Sequence, residues 1–203
     1  MDGETIIYSC DLGEGREKEI VLEKEGEVLR RLFIFADAVP AEMRYTVRLR
    51  GRRSRAEILI AYLGRNKDDT NMDITIVHEA PDTYGRVIAK AALFDDARFV
   101  FRGMLEIASS AKGADSHLLA KGLMVSPRAR AEIYPYLEIK TDEVKASHGS
   151  SVGRLDERQL FYLQSRGIAK AEAEAIILSS YFRDVTQYMP QAYRQKFFQR
   201  TDY

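Results

Sequence analysis

Side chains able to bind a metal or a cluster are scarce in this sequence: three histidines, His78, His117 and His148, and one cysteine, Cys10. A single thiolate forms no internal disulfide. It also falls short of the thiolate set that holds a structural zinc or a permanent iron-sulfur cluster within one chain. Any cluster here is expected to be shared between chains or transient. His117 and Glu138 are weak candidates as further ligands, because a lone histidine on a strand is more often a surface or hydrogen-bonded residue. Acid-base chemistry in a groove would need clustered Asp, Lys and Arg or a positioned His, and no motif of that kind stands out. The expectation is therefore a protein without catalytic residues, with a lyase or acyltransferase as the enzymatic alternative.

The elements that must position these residues change character near residue 153. Before it, Met43, Tyr45, Val47 and Leu49 interleave with Arg44, Thr46, Arg48 and Arg50, the period-2 signature of a half-buried strand. Further strand-like segments begin near Ala56, Met72, Val87 and Phe99, with every second start about 30 residues apart. No helical stretch long enough for a crossover separates them. The pattern fits the coils of a β-solenoid better than a parallel α/β sheet. An antiparallel β-sandwich gives much the same spacing, so spacing alone decides between these two in neither direction.

From Asp156 the periodicity is helical. Asp156 is a cap, with Gln159 placed to complete a capping box, and Gly167 supplies the left-handed residue that ends the first helix. A second helix is expected from about Lys170 to Tyr188, with Ala171, Ala175, Leu178, Phe182, Val185 and Met189 along one face. Pro190 then opens a short third helix carrying Tyr193, Phe197 and Phe198. The expected organisation is a β core over residues 1–153 and a helical domain over residues 154–203.

The segment from Leu137 to Ile168 at this junction carries a dense, ordered set of motifs. It is preceded by Pro135 of a Pro-x-Leu-Glu-Ile strand (Leu137, Glu138, Ile139). Asp142 and Val144 follow, then His-Gly-x-x-x-Gly (His148, Gly149, Gly153), then Leu155, Asp156 and the run from Leu160 to Ile168. Weaker matches include His78, Ala80, Pro81, Phe101 and Gly103. These residues resemble the signature of the SufB/SufD family of the SUF system, over roughly residues 70 to 185.

The resemblance implies a mainly β protein with an α appendage: a right-handed parallel β-helix followed by a C-terminal helical domain. It implies a non-catalytic scaffold for iron-sulfur cluster assembly. Such subunits pair through their β-helices, here with a SufB-type chain or a second copy, and dock a SufC-type ABC ATPase through their C-terminal helices. His148 matches the histidine that SufD-type members place at the subunit interface, where an imidazole can contact iron or a transient cluster; the alternative is a structural histidine closing the last coil. SufB-type members carry a cysteine and a glutamate where this chain has Ala120 and Gly149, so the likeness is closer to SufD. No permanently bound cofactor is expected. Tyr162, Arg166, Phe182, Arg183, Tyr188 and Met189 are the candidates for the ATPase-docking surface, with Phe182 and Met189 equally readable as core, and Leu160, Phe161 and Leu163 are read as core. Family members are longer, so this is a short member. A β-solenoid interaction module without a cluster role is the competing reading.

Composition sets the remaining limits. Lys plus Arg and Asp plus Glu number 31 each, so no net field recruits nucleic acid or anionic lipid. The basic run Arg48 to Arg55 is either a phosphate patch or, in the favoured reading, a solvated turn. No apolar run is long enough for a bilayer and no basic-then-apolar leader is evident, which makes the cytoplasm the expected compartment.

Overall fold

A computed structural model describes residues 5–9, 17–36 and 39–199. Cys10 lies outside these residues. The strands are β1 (Thr5–Ser9), β2 (Glu17–Leu22), β3 (Val28–Phe35), β4 (Glu42–Leu49), β5 (Arg55–Gly64), β6 (Asp69–His78), β7 (Tyr84–Leu93), β8 (Arg98–Ile107), β9 (Asp115–Met124), β10 (Arg130–Ile139) and β11 (Lys145–Arg154). Three helices follow: α1 (Glu157–Ser165), α2 (Lys170–Thr186) and α3 (Gln191–Gln199).

Odd-numbered strands form one parallel sheet in the order β1-β3-β5-β7-β9-β11, and even-numbered strands a second in the order β10-β8-β6-β4-β2. Each coil is thus one strand of each sheet with a corner between them. Met43 lies beside Met72 and Met72 beside Phe101, so equivalent residues stack from coil to coil. This parallel stacking is that of a β-solenoid, and it removes the antiparallel sandwich that spacing alone left open.

In-register neighbours in a parallel ladder share a face. Met43, Tyr45, Val47 and Leu49 therefore continue into Met72, Ile74, Ile76 and His78 and join Ile58, Ile60, Val87, Ala89 and Phe101 in the lumen. One corner recurs with a left-handed residue in successive coils: Gly26 (φ 70), Arg53 (φ 59), Asp82 (φ 58) and Gly113 (φ 74). Their amides hydrogen-bond to the next coil, Asp82 N–H to Lys112 O at 2.9 Å and Gly113 N–H to Glu143 O at 2.7 Å. Gly51 is required at the same corner, because a Cβ there would stand 2.0 Å from the carbonyl oxygen of Lys24.

The basic run is a carboxylate-matched corner. Arg48 pairs with Glu19 and Glu79, Arg50 with Glu79 and Glu23, Arg52 with Asp82, and Arg53 with Glu25. The solvated-turn reading holds.

Over β3, β5 and β7 the odd-strand sheet is buried on both faces. Leu32, Ile34, Leu59, Ala61, Leu63 and Ile88 point away from the lumen and pack under Leu178, Phe182, Val185, Met189 and Phe197. α1 starts as expected, with the Asp156 side chain accepting from Arg158 N–H at 2.9 Å, and ends before Gly167 (φ 86). The buried face of α2 begins two residues later than its periodicity suggested: Ala171 is exposed, and Ala173 is the first of its alanines to be covered.

Candidate functional site

Two features of the C-terminal half are unfinished as monomer structure. The first is the terminal rung. β10 pairs with β8 alone and β11 with β9 alone, so each leaves one edge of backbone N–H and C=O groups without a strand. Lumen columns that are capped in every earlier coil end here in exposed side chains. The column through Val87 and Leu118 ends at His148, and that through Ala91 and Gly122 ends at Val152, which is 43% exposed. Ile139, the last member of the column through Leu49, His78 and Ile107, is 42% exposed. Tyr134 and Tyr136 project from the opposite face of β10 and are exposed as well.

His148 therefore points along the solenoid lumen at its open end. Ala120 is fully buried on the same face, in register with Ser150, whereas Gly149 is in register with Leu119 on the outer face. The fold puts His148 and Ala120 on the same face of adjacent strands, two positions apart in register, and Gly149 on the other face. Among the described residues no three His, Cys, Asp or Glu side chains converge to hold a metal ion. His117 sits on the outer face, with Nδ1 2.7 Å from Ser147 Oγ and Nε2 2.8 Å from Asp115 Oδ1. Glu138 is on the outer face of the other sheet, with its carboxylate 2.9 Å from Lys140 Nζ. Neither approaches His148 on the lumen side.

The second unfinished feature is α1, which buries none of its residues. Phe161 is 72% exposed and Tyr162 58%. The reading of Phe161 as core is corrected here: α1 packs along α2 and has no wall facing its other side. Arg166 lies over the Tyr162 ring, 5.3 Å from its centroid. Between α1, α2 and the end of the odd-strand sheet runs a mostly apolar cleft of about 650 Å³, lined by Tyr162, Leu163, Ile176, Ile177 and Leu123 and rimmed by Arg154 and Arg158.

Of the other candidates on the helices, Phe182 and Met189 are buried against the odd-strand sheet. That corrects their place on an outer docking surface, since the outer face of the sheet is apolar where α2 lies on it. Tyr188 is half-buried beneath Arg30, whose guanidinium is 5.1 Å from the ring centroid. Arg183 remains exposed.

Sequence reasoning missed Lys90. It is a buried lysine, its side chain 5% exposed, whose ammonium donates to the Tyr181 carbonyl at 2.6 Å and to Asp184 Oδ2 at 2.7 Å. The ammonium holds the Asp184 carboxyl below its ordinary range. No local pattern signals a bond between residues so far apart in the chain.

The fold places the chain in the class of parallel β-solenoids with helices packed on one flank. The family model described as "SUF system FeS cluster assembly, SufBD core domain" matches residues 18–181, and the chain belongs to this SufBD family. It is 32% identical to the iron-sulfur cluster assembly protein SufD of Bacillus subtilis over 145 residues, 71% of this chain and 33% of that protein. A SufBD family protein of Mycobacterium bovis is 33% identical over 166 residues, 78% of this chain and 42% of the relative. A chloroplastic SufBD family protein of Arabidopsis thaliana is 30% identical over 145 residues, 71% of this chain and 26% of the relative. The chain thus spans less than half the length of each of these relatives. Among the described residues no helix is long and apolar enough to cross a membrane.

Proposed function

We propose that this chain is a SufD-like scaffold subunit of iron-sulfur cluster assembly, working in the cytoplasm without catalytic residues of its own. It pairs through its terminal rung with a SufB-type chain or a second copy, and docks a SufC-type ABC ATPase through its C-terminal helices. What carries this reading is the open rung. Proteins normally blunt exposed strand edges with proline, charge or a covering element. β10 carries Pro135, which has no N–H to offer. β11 (KASHGSSVGR) has no proline and is uncharged between its terminal residues, so of the two strands of the last rung it is the one whose edge is left available.

His148 at the mouth of the lumen then meets the partner chain. Its imidazole supplies one donor to a cluster that is cargo rather than a resident cofactor, and the partner supplies the rest. Ala120 and Gly149 provide neither thiolate nor carboxylate. The exposed face of α1, with Phe161, Tyr162 and Arg166, has the aromatic and Arg chemistry of an interface centre, and supports docking there.

Co-purification with a SufC-type ATPase from the same organism, with and without ATP, tests the docking; retention is expected and failure in both conditions removes it. Anaerobic iron and sulfide analysis of the chain with a SufB-type partner tests the cluster role. Cluster bound to the pair and reduced by His148→Ala is expected. A pair that never carries iron leaves only the interaction module.

A further inference from the structure

We infer that Lys90, Tyr181 and Asp184 form a rigid joint that makes α2 and the terminal strands of the solenoid move as one body, leaving α1 as the mobile arm. The inference deepens the docking role proposed above and rests on it.

The apolar contact between α2 and the odd-strand sheet would by itself let the helix slide, because such packing has no preferred direction along the interface. Directional bonds remove that freedom. Tyr181 Oη donates to Lys121 O at 2.7 Å, with Ala91 O at 3.2 Å, so a helix side chain is tied to the backbone of both β7 and β9. Lys90, from β7, reaches the other way, to the Tyr181 carbonyl and the Asp184 carboxylate of α2. Each element thus holds the other, and sliding by one turn would strand a buried ammonium without its partners.

Position gives the joint its use. β9 is the strand that pairs with β11, and Lys121 is in register with Ser151, three residues from His148. A tilt of α2 is therefore delivered to the backbone of the last rung. α1 has no comparable fastening: it buries nothing, and a left-handed Gly167 links it to α2. A protein that grips α1 across the cleft can move it, but it moves the rung only through α2.

The test uses the whole chain and two variants, Tyr181→Phe, which keeps the ring, and Lys90→Met with Tyr181→Phe. Hydrogen exchange of the chain alone should show α2 as protected as β7 and α1 exchanging fast; in the double variant α2 should exchange at least tenfold faster while β5 and β7 stay protected. Unchanged α2 protection overturns the joint. With the SufC-type ATPase bound, ATP should alter exchange in residues 145–154 of the wild type. Both variants should retain the ATPase, and the double variant should lose this response. A persisting response in the double variant overturns the coupling. A wild type that fails to bind the ATPase instead removes the docking reading, and exchange in the free chain alone then decides whether the joint exists.

Discussion

Inside the third coil, His78 Nε2 lies 2.9 Å from the Oγ of Ser116, and the space for this contact comes from Gly85, where a Cβ would stand 2.7 Å from the same nitrogen. The bonding order can be assigned. The Thr83 hydroxyl donates to Ala80 O, so it accepts from His78 Nδ1–H, and Nε2 accepts from Ser116. The ring is a neutral imidazole with both nitrogens satisfied.

Burial pushes the His78 pKa from 6.5 down to about 4. Between those values the unfolded chain binds a proton that the folded chain refuses, so stability falls as pH drops through that window. For this one group the loss is about 3 kcal/mol. Urea unfolding near pH 7 and near pH 4 should show wild type losing more stability than His78→Leu by roughly that amount. Equal losses would mean that the imidazole is not held neutral.

Two glycine substitutions should separate by sign of contact. Gly51→Ala forces a methyl onto the Lys24 carbonyl and should cost about 3 kcal/mol or more, since backbone on both sides must move. Gly149→Ala meets only Leu119, at 3.6 Å, and should change stability by less than about 0.5 kcal/mol. Thermal melts of the two proteins check both.

Phe182 and Phe161 lie on the same helical unit with opposite accounts. Phe182→Ala empties a site between α2 and the sheet and should lower stability by about 3 to 5 kcal/mol. Phe161→Ser with Tyr162→Ser should leave unfolding within about 0.5 kcal/mol of wild type, and abolish ATPase retention. Loss of retention without loss of stability distinguishes a docking face from a damaged fold.

Val152→Arg places a charge at the mouth of the lumen, where a long side chain can still reach water in the monomer. The monomer should melt as wild type does. Pairing, measured by sedimentation, should weaken at least about tenfold; unaltered pairing would move the interface off the terminal rung.

Much of the solenoid was readable because β4, β6 and β8, all in the even-strand sheet, keep apolar residues on the lumen side and mostly polar ones on the other. β3 (VLRRLFIF) hid that alternation, since its outer face lies under the helices and is apolar too. β11 hid it for the opposite reason: with no coil above it, its lumen side carries Ala146, His148 and Ser150 rather than a core set. Spacing could not distinguish stacked coils from a sandwich, because that distinction rests on which strands are neighbours in space. His148 was found through its motif. Its orientation into the lumen was not, as it depends on the register with Leu118. Phe161 was misassigned because its helix is amphipathic in sequence but has nothing opposite it in space. The joint at Lys90 had no local signature at all.

The bare margin of β11 also has a cost outside its function. A strand zipped along one side only is a template, and in a crowded cell it accepts any extended segment that arrives first. If β11 pairs as proposed, production of this chain in excess of its partner should thus surface as inclusion bodies before it surfaces as missing cofactor, and matched synthesis of the two would help keep this chain in solution.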